Sequence, residues 1–274
     1  MSATRRRNRK SMQISGFLGC FSVPIRGNVA GFTLIEMAIV MVIAGLMLGG
    51  AINAIHAQSL KRRAEKTHDQ LVEIKESIFG FALANGRLPC PDTDFDGLEN
   101  QTAGVTCVAN ASGLFRGFIP WRTLGVAPVD PWSHLFTYQV TGVYADDISQ
   151  NSYNGCNAPT NATSETSSSF ALTCPAGVTD GDITIRDSRD SANPVIGRVI
   201  ATGIPAVFMS HGANSFGAFT LNGNQISTAG AQTLEEQTNF DATSSTFSRG
   251  GDDVVMWISP LVLKFRTVQA RRLP

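Results

Sequence analysis

The run GFTLIEMAIVMVIAGLMLGGAINAI, starting at Gly31, constrains this chain more than any other stretch. Between residues 32 and 55 the only ionised side chain is Glu36, and no Lys or Arg accompanies it. A helix rises about 1.5 Å per residue, so about 20 apolar residues cross the hydrocarbon core of a bilayer. Residues 32–55 are long enough for that. A secretory h-region has only about 7–15 apolar residues, so this run is expected to stay in the chain. A lone carboxylate in a membrane helix costs on the order of 2.5–3.5 kcal/mol. Glu36 therefore calls for a positive partner that its own helix does not contain.

Charge separates the front of the chain from the rest. Arg5, Arg6, Arg7, Arg9, Lys10 and Arg26 precede Gly31, and no Asp or Glu does. Taking those six from the 22 basic residues leaves 16 against 22 acidic ones, a net of −6 for the body of the chain. That balance argues against nucleic acid as a partner. Residues 1–31 read as a basic leader, a targeting segment and not a fold element. The leader places the N-terminal side of the span in the cytoplasm by the positive-inside rule, although Lys61, Arg62, Arg63 and Lys66 follow the span. Gly45 and Gly49 form a small-xxx-small pair that permits close helix approach.

The helix continues beyond the apolar run. Leu60, Ala64, Thr67, Leu71, Ile74, Ile78 and Phe81 recur at alternating spacings of four and three, which is a heptad seam. Ala and Thr in so short a seam make a weak zipper, so the seam is expected to pack on the chain's own globular domain. No proline interrupts residues 32–88, and Asn85–Gly86 followed by Pro89 gives a stop. The expected organisation is a leader (1–31), a helix (32–88, with 32–55 transmembrane and 56–88 amphipathic) and an outer domain (89–274).

The outer domain is rich in Gly, Ser, Thr and Asn, with strands expected at 135–144, 182–187, 195–201, 205–210 and 253–259. Residues 157–169 and 227–251 read as loops. The expected class is α+β, a long N-terminal helix packed on an antiparallel sheet. Four cysteines lie here: Cys90, Cys107, Cys156 and Cys174. The fifth, Cys20, lies in the leader. An even set with no CxxC pair fits disulfides in an oxidising compartment. Of the three connectivities, Cys90–Cys107 with Cys156–Cys174 closes the shortest loops, each stabilising by roughly 3 kcal/mol.

The basic leader, the GFTLIE of Gly31, Phe32, Thr33, Leu34, Ile35 and Glu36, and the half-apolar, half-amphipathic helix together resemble the type IV prepilin family. That family includes the pseudopilins of type II secretion. The resemblance is close over the first third of the chain. It implies a pilin-like fold, cleavage by a prepilin peptidase between Gly31 and Phe32, and N-methylation of Phe32 by the same enzyme. It also implies that Glu36 meets the Phe32 ammonium of a neighbouring subunit during assembly. The partners it implies are other pilin or pseudopilin subunits, the prepilin peptidase/N-methyltransferase and the inner membrane. The location it implies is a single pass through the bacterial inner membrane, with the outer domain periplasmic or in an extracytoplasmic filament. Asp130, Pro131 and Trp132 resemble the DPW turn of pseudopilins, with Ser133 where relatives often carry glycine. Where many relatives kink the helix with proline, this chain has Asn53.

Two further features bear on function. Asp92, Asp94, Asp96 and Gly97 match the opening of a calcium loop. Ala103 stands where an EF-hand needs its glutamate, so only a looser calcium site, with Glu99 or carbonyls helping, is a candidate; no other cofactor is called for. Ser210 and His211 are adjacent but point to opposite faces of a strand, and no GxSxG motif accompanies them. The expected role is therefore structural, not enzymatic. A membrane-anchored binding protein or adhesin that does not polymerise is the alternative, and a tethered hydrolase using Ser210 and His211 a third class.

Overall fold

The computed structural model describes residues 31–102, 106–145, 181–188, 197–228 and 233–270. Contacts divide the chain into two units, Met1–Ile52 and Asn53–Pro274. The leader, the loop expected at 157–169 and both Cys156 and Cys174 lie outside the described residues.

Helix α1 (Leu34–Asn85) begins in the first unit and ends in the second. It stops where the sequence demands: Gly86 adopts φ +74° and donates its N–H to the Ala82 carbonyl at 2.9 Å. A left-handed residue after the last turn is the usual helix stop, and glycine takes it without a Cβ clash. In the second unit Thr67, Leu71, Ile74, Ile78 and Ala82 are buried at helical spacing. The seam therefore packs on the chain's own domain from Thr67 onward, while Leu60 and Ala64 stay exposed. The first unit differs from expectation in one respect. Among the described residues no helix is long and apolar enough to cross a membrane, because the described side chains of the apolar run stop at Met47.

After α1 the chain forms a short hairpin, β1 (Gln101–Thr102) with β2 (Thr106–Cys107), which the Cys90–Cys107 disulfide ties to the end of the helix. Then follow β3 (Arg116–Phe118), α2 (Trp121–Leu124), β4 (Thr137–Val140) and the single turn α3 (Gly142–Ala145). The remaining elements are β5 (Ile183–Asp187), β6 (Arg198–Ile204), β7 (Ala206–Ser210), α4 (Leu234–Phe240), β8 (Thr246–Arg249), β9 (Val254–Ile258) and α5 (Pro260–Gln269).

The main sheet has the order β3-β4-β7-β9 and is antiparallel throughout. Strand β7 shows how it is sandwiched. Phe208 faces a core that includes Leu71, Ile78 and Tyr138, whereas Val207 and Met209 face a second core with Ile183, Ile185 and Phe247. A strand alternates its side chains between faces, so a strand covered on both sides reads as a continuous apolar run. The second core belongs to the sheet β6-β5-β8. The result is three layers: helix α1, main sheet, second sheet.

Several expectations need correction. The second sheet is mixed, since β5 pairs with β8 in parallel. Parallel neighbours need a long crossover, and β6, β7 and α4 all intervene between these two. The strand expected at 135–144 is shorter, because Pro205 faces its end: the Thr141 N–H reaches the Pro205 carbonyl, proline returns no N–H, and the chain turns into α3. Of the strand expected at 195–201, residues 195 and 196 lie outside the described residues; the strand found is β6, which runs on to Ile204, where it pairs with Ile183. The region 227–251 is not all loop, for it holds α4 and β8. Both are short and polar and carry little hydrophobic period.

Candidate functional site

In the first unit, Gly31, Phe32 and Thr33 precede the helix in non-helical conformation. Thr33 takes the N-cap position. Its Oγ1 accepts the Glu36 N–H at 3.3 Å, and its carbonyl accepts the Met37 N–H at 3.2 Å. The first four N–H groups of a helix have no internal partner, and a threonine hydroxyl satisfies one of them. Thr33-x-x-Glu36 is thus the sequence signature of a helix start. That signal was present in GFTLIE but was not drawn from it. Glu36 stands in the first turn, where the positive end of the helix dipole favours a carboxylate. The helix gives Glu36 this partial partner, and no basic side chain within ion-pair distance is found among the described residues.

Around Gly31 a Cβ would meet nothing within 4 Å, and Phe32 is exposed. Exposure continues all round the helix. Phe32, Leu34, Ile35, Met41, Leu46 and Met47 are all exposed, Leu34 at 93%. Soluble surfaces rarely present so much contiguous apolar area, and a helix apolar on every face belongs in a core or a membrane.

In the second unit, the calcium-like turn is built. The carboxylate oxygens of Asp92, Asp94 and Asp96 lie within 4.8 Å of one another. Asp92 is buried and heavily engaged. Its Oδ1 accepts N–H groups from Asp94 (3.0 Å) and Phe95 (2.8 Å), and its Oδ2 accepts from Gly97 (2.9 Å). Burial pushes its pKa up, while those three N–H groups pull it back down. Asp96 Oδ1 accepts the Leu98 N–H at 2.7 Å. Gly97 has φ +83°, and a Cβ there would sit 2.4 Å from the Trp121 ring. Each residue of the pattern thus has a role within the protein itself, Asp94 through a side-chain hydrogen bond to Asp92. Glu99 does not join the cluster. It takes a two-pronged ion pair from Arg87 at 2.7 and 2.8 Å and the Cys90 N–H at 3.1 Å.

The DPW turn is closed by Asp130. Its Oδ1 accepts N–H groups from Trp132 and His134, both at 2.9 Å, and its Oδ2 accepts the Ser210 hydroxyl at 2.5 Å. Ser133 sits at φ +71°, the left-handed region that favours glycine. His211 instead shares a hydrogen with Thr137, Nε2 to Oγ1 at 3.0 Å. The two neighbours therefore join different networks. His211 is buried, and its pKa is pulled down to about 3 by burial first, then by the charges of Arg116 and His134, with the Phe216 backbone pulling weakly the other way.

Residues 26–52 match the profile of the prokaryotic N-terminal methylation motif. The chain thus carries the hallmark of type IV prepilin- and pseudopilin-like proteins. The match covers Gly31, Phe32, Thr33 and Glu36, the residues whose geometry is described above. That motif implies processing by a prepilin peptidase and assembly with other pilins. No curated protein and no solved structure matches this chain.

Proposed function

We propose that this protein is a structural subunit, a minor pilin or pseudopilin, of a type II secretion pseudopilus or a type IV pilus. Its N-terminal helix anchors it in the inner membrane and then packs into the filament. The observation that carries this reading is the motif-bearing start of α1, apolar and exposed on every face apart from Glu36. Such a surface is stable only among lipids or like helices. Glu36 then supplies register. In a lone helix the carboxylate is costly, while opposite a neighbouring Phe32 ammonium in low dielectric it is compensated. No enzymatic step is needed. For the Asp92, Asp94 and Asp96 turn the reading is structural, because backbone donors already occupy Asp92; calcium binding by the purified chain, followed by titration calorimetry, is the check on that point.

The test of the main reading is processing. Intact mass and N-terminal sequence are compared for the protein made with and without a prepilin peptidase. A chain that begins at N-methyl-Phe32 only when the peptidase is present supports the proposal. An uncut chain despite an active peptidase favours the alternative, an anchored extracytoplasmic binding protein that does not polymerise.

A further inference from the structure

The second unit holds a cavity of about 390 Å³ that the assembly reading does not use. That volume lies in the range of small-molecule sites. Its wall is aromatic: Phe95, Phe118 and Phe219 cluster in tilted and edge-on contacts with ring centroids 5.0 to 6.0 Å apart, and Phe240 also lines it. Among the described residues, the ionisable ones lining it are Arg116 and His211, with no carboxylate and no lysine.

Arg116 is buried at the cavity wall. One terminal nitrogen donates to the Asp241 carbonyl at 2.7 Å and the other to the Asn239 carbonyl, at the end of α4. Its guanidinium stands 4.7 Å from the centroid of the Phe247 ring. A guanidinium has five N–H donors, and these contacts use two. The nearest acid acting on it, Asp241, has its carboxylate engaged by the Thr243 N–H and hydroxyl and forms no ion pair with it. Burial draws the Arg116 pKa down to about 10, so the group stays charged at neutral pH. A buried cation without a paired anion is expensive, and low-dielectric walls concentrate its field within the cavity. Beside it, His211 is buried and kept neutral, with Nε2 on the Thr137 hydroxyl.

We infer that this cavity binds a small organic monoanion, a carboxylate carried on a flat apolar body. The carboxylate lies against Arg116 within reach of His211 and Thr137, and the body lies among Phe95, Phe118 and Phe219. A carboxylate fits a guanidinium in two-pronged geometry, which a neutral group of the same shape cannot reproduce. The inference goes beyond assembly, since none of these residues belongs to the methylation motif.

The test uses the full chain in detergent, with benzoate as probe and benzamide as its neutral match. Benzoate binds saturably by calorimetry and at least tenfold more tightly than benzamide. Arg116→Gln brings benzoate down to the benzamide level. Ala109→Trp blocks the mouth from an exposed rim position, keeps the charge, and also weakens benzoate at least tenfold. The His211 ring nitrogen resonances move with benzoate and not with benzamide, a change that a purely structural arginine would not cause. If Arg116→Gln does not fold, the wild-type comparison and Ala109→Trp decide alone. Equal binding of the two probes, no saturable binding of benzoate, or benzoate binding that survives Ala109→Trp overturns the inference.

Discussion

Helix α1 contains two regions of opposite character. From Leu34 to Met47 its apolar side chains are exposed on every face, whereas from Thr67 to Ala82 one face is buried and the rest is charged and solvated. The same backbone geometry serves both. The difference lies in what surrounds the side chains: the second stretch finds its partners within the chain, in β4, β7 and α5. The large apolar side chains described in the first are exposed. Burial is what makes an apolar side chain contribute to folding, so stability is concentrated in the second stretch. In the proposed function, the first stretch is the one that associates.

The sharpest way to break this comparison is Glu36→Ala. Co-purification with partner pilins is expected to be lost, while denaturant unfolding of the second unit stays within about 0.5 kcal/mol of wild type, as for surface changes generally. Full co-purification by the mutant would remove Glu36 from assembly. Next in size is a matched pair of truncations. Leu71→Ala opens a cavity in a core where the side chain is fully buried, and should cost about 2–5 kcal/mol in urea unfolding. Met41→Ala should leave the same midpoint unmoved, because its side chain is exposed. Equal losses at the two positions would mean that the first stretch is also packed within the chain.

A smaller effect concerns pH. His211 has a native pKa of about 3 against an ordinary value of 6.5, so below about pH 6.5 the unfolded chain binds the extra proton. Stability from this group is fully present above about pH 6.5 and is lost as pH falls towards 3, by about 1.4 kcal/mol per pH unit at most. Unfolding midpoints at pH 7 and pH 5 measure it. His211→Gln should flatten the dependence, and an unchanged slope would show that His211 is not kept neutral. The smallest effect is expected at Ser133, held at φ +71°. Ser133→Gly relieves a left-handed conformation but adds unfolded-state freedom, so a net gain of about 0.5 kcal/mol in thermal or urea unfolding is expected. A loss would mean that the serine side chain contributes more than its strain costs.

Legibility in the sequence followed the strength of local signals. The seam through Leu71, Ile74 and Ile78 and the stop at Gly86 were readable because helical spacing and a left-handed glycine leave plain marks. Strands β5, β7 and β9 fell close to their expected positions because each is an apolar run between turn residues. The start of α4 also carried a mark, Thr233-x-x-Glu236, whose Glu236 Oε2 accepts the Thr233 N–H at 3.1 Å. Ser259–Pro260 likewise marks the start of α5, with proline in the first turn. Both signals are short and lie in polar surroundings, so they are easily read as loop. Of the candidate site, the motif that contains Gly31, Phe32 and Glu36 was legible. Arg116 was not, because its burial against backbone carbonyls follows from the meeting of β3 with the end of α4, more than a hundred residues away.

The sequence by itself determined the long helix, its apolar first stretch with the single carboxylate and the amphipathic face after it; of the three disulfide connectivities it left open, the structure shows Cys90–Cys107. The helical features rest on spacing within a short length of chain. Only the tertiary structure decided that β5 and β8 run parallel, that Ser210 joins Asp130 while His211 joins Thr137, and that a buried cation borders an aromatic cavity. Those depend on which distant residues are brought together, and burial, which sets the cost of every unpaired charge, is a property of the packed chain and not of any local stretch.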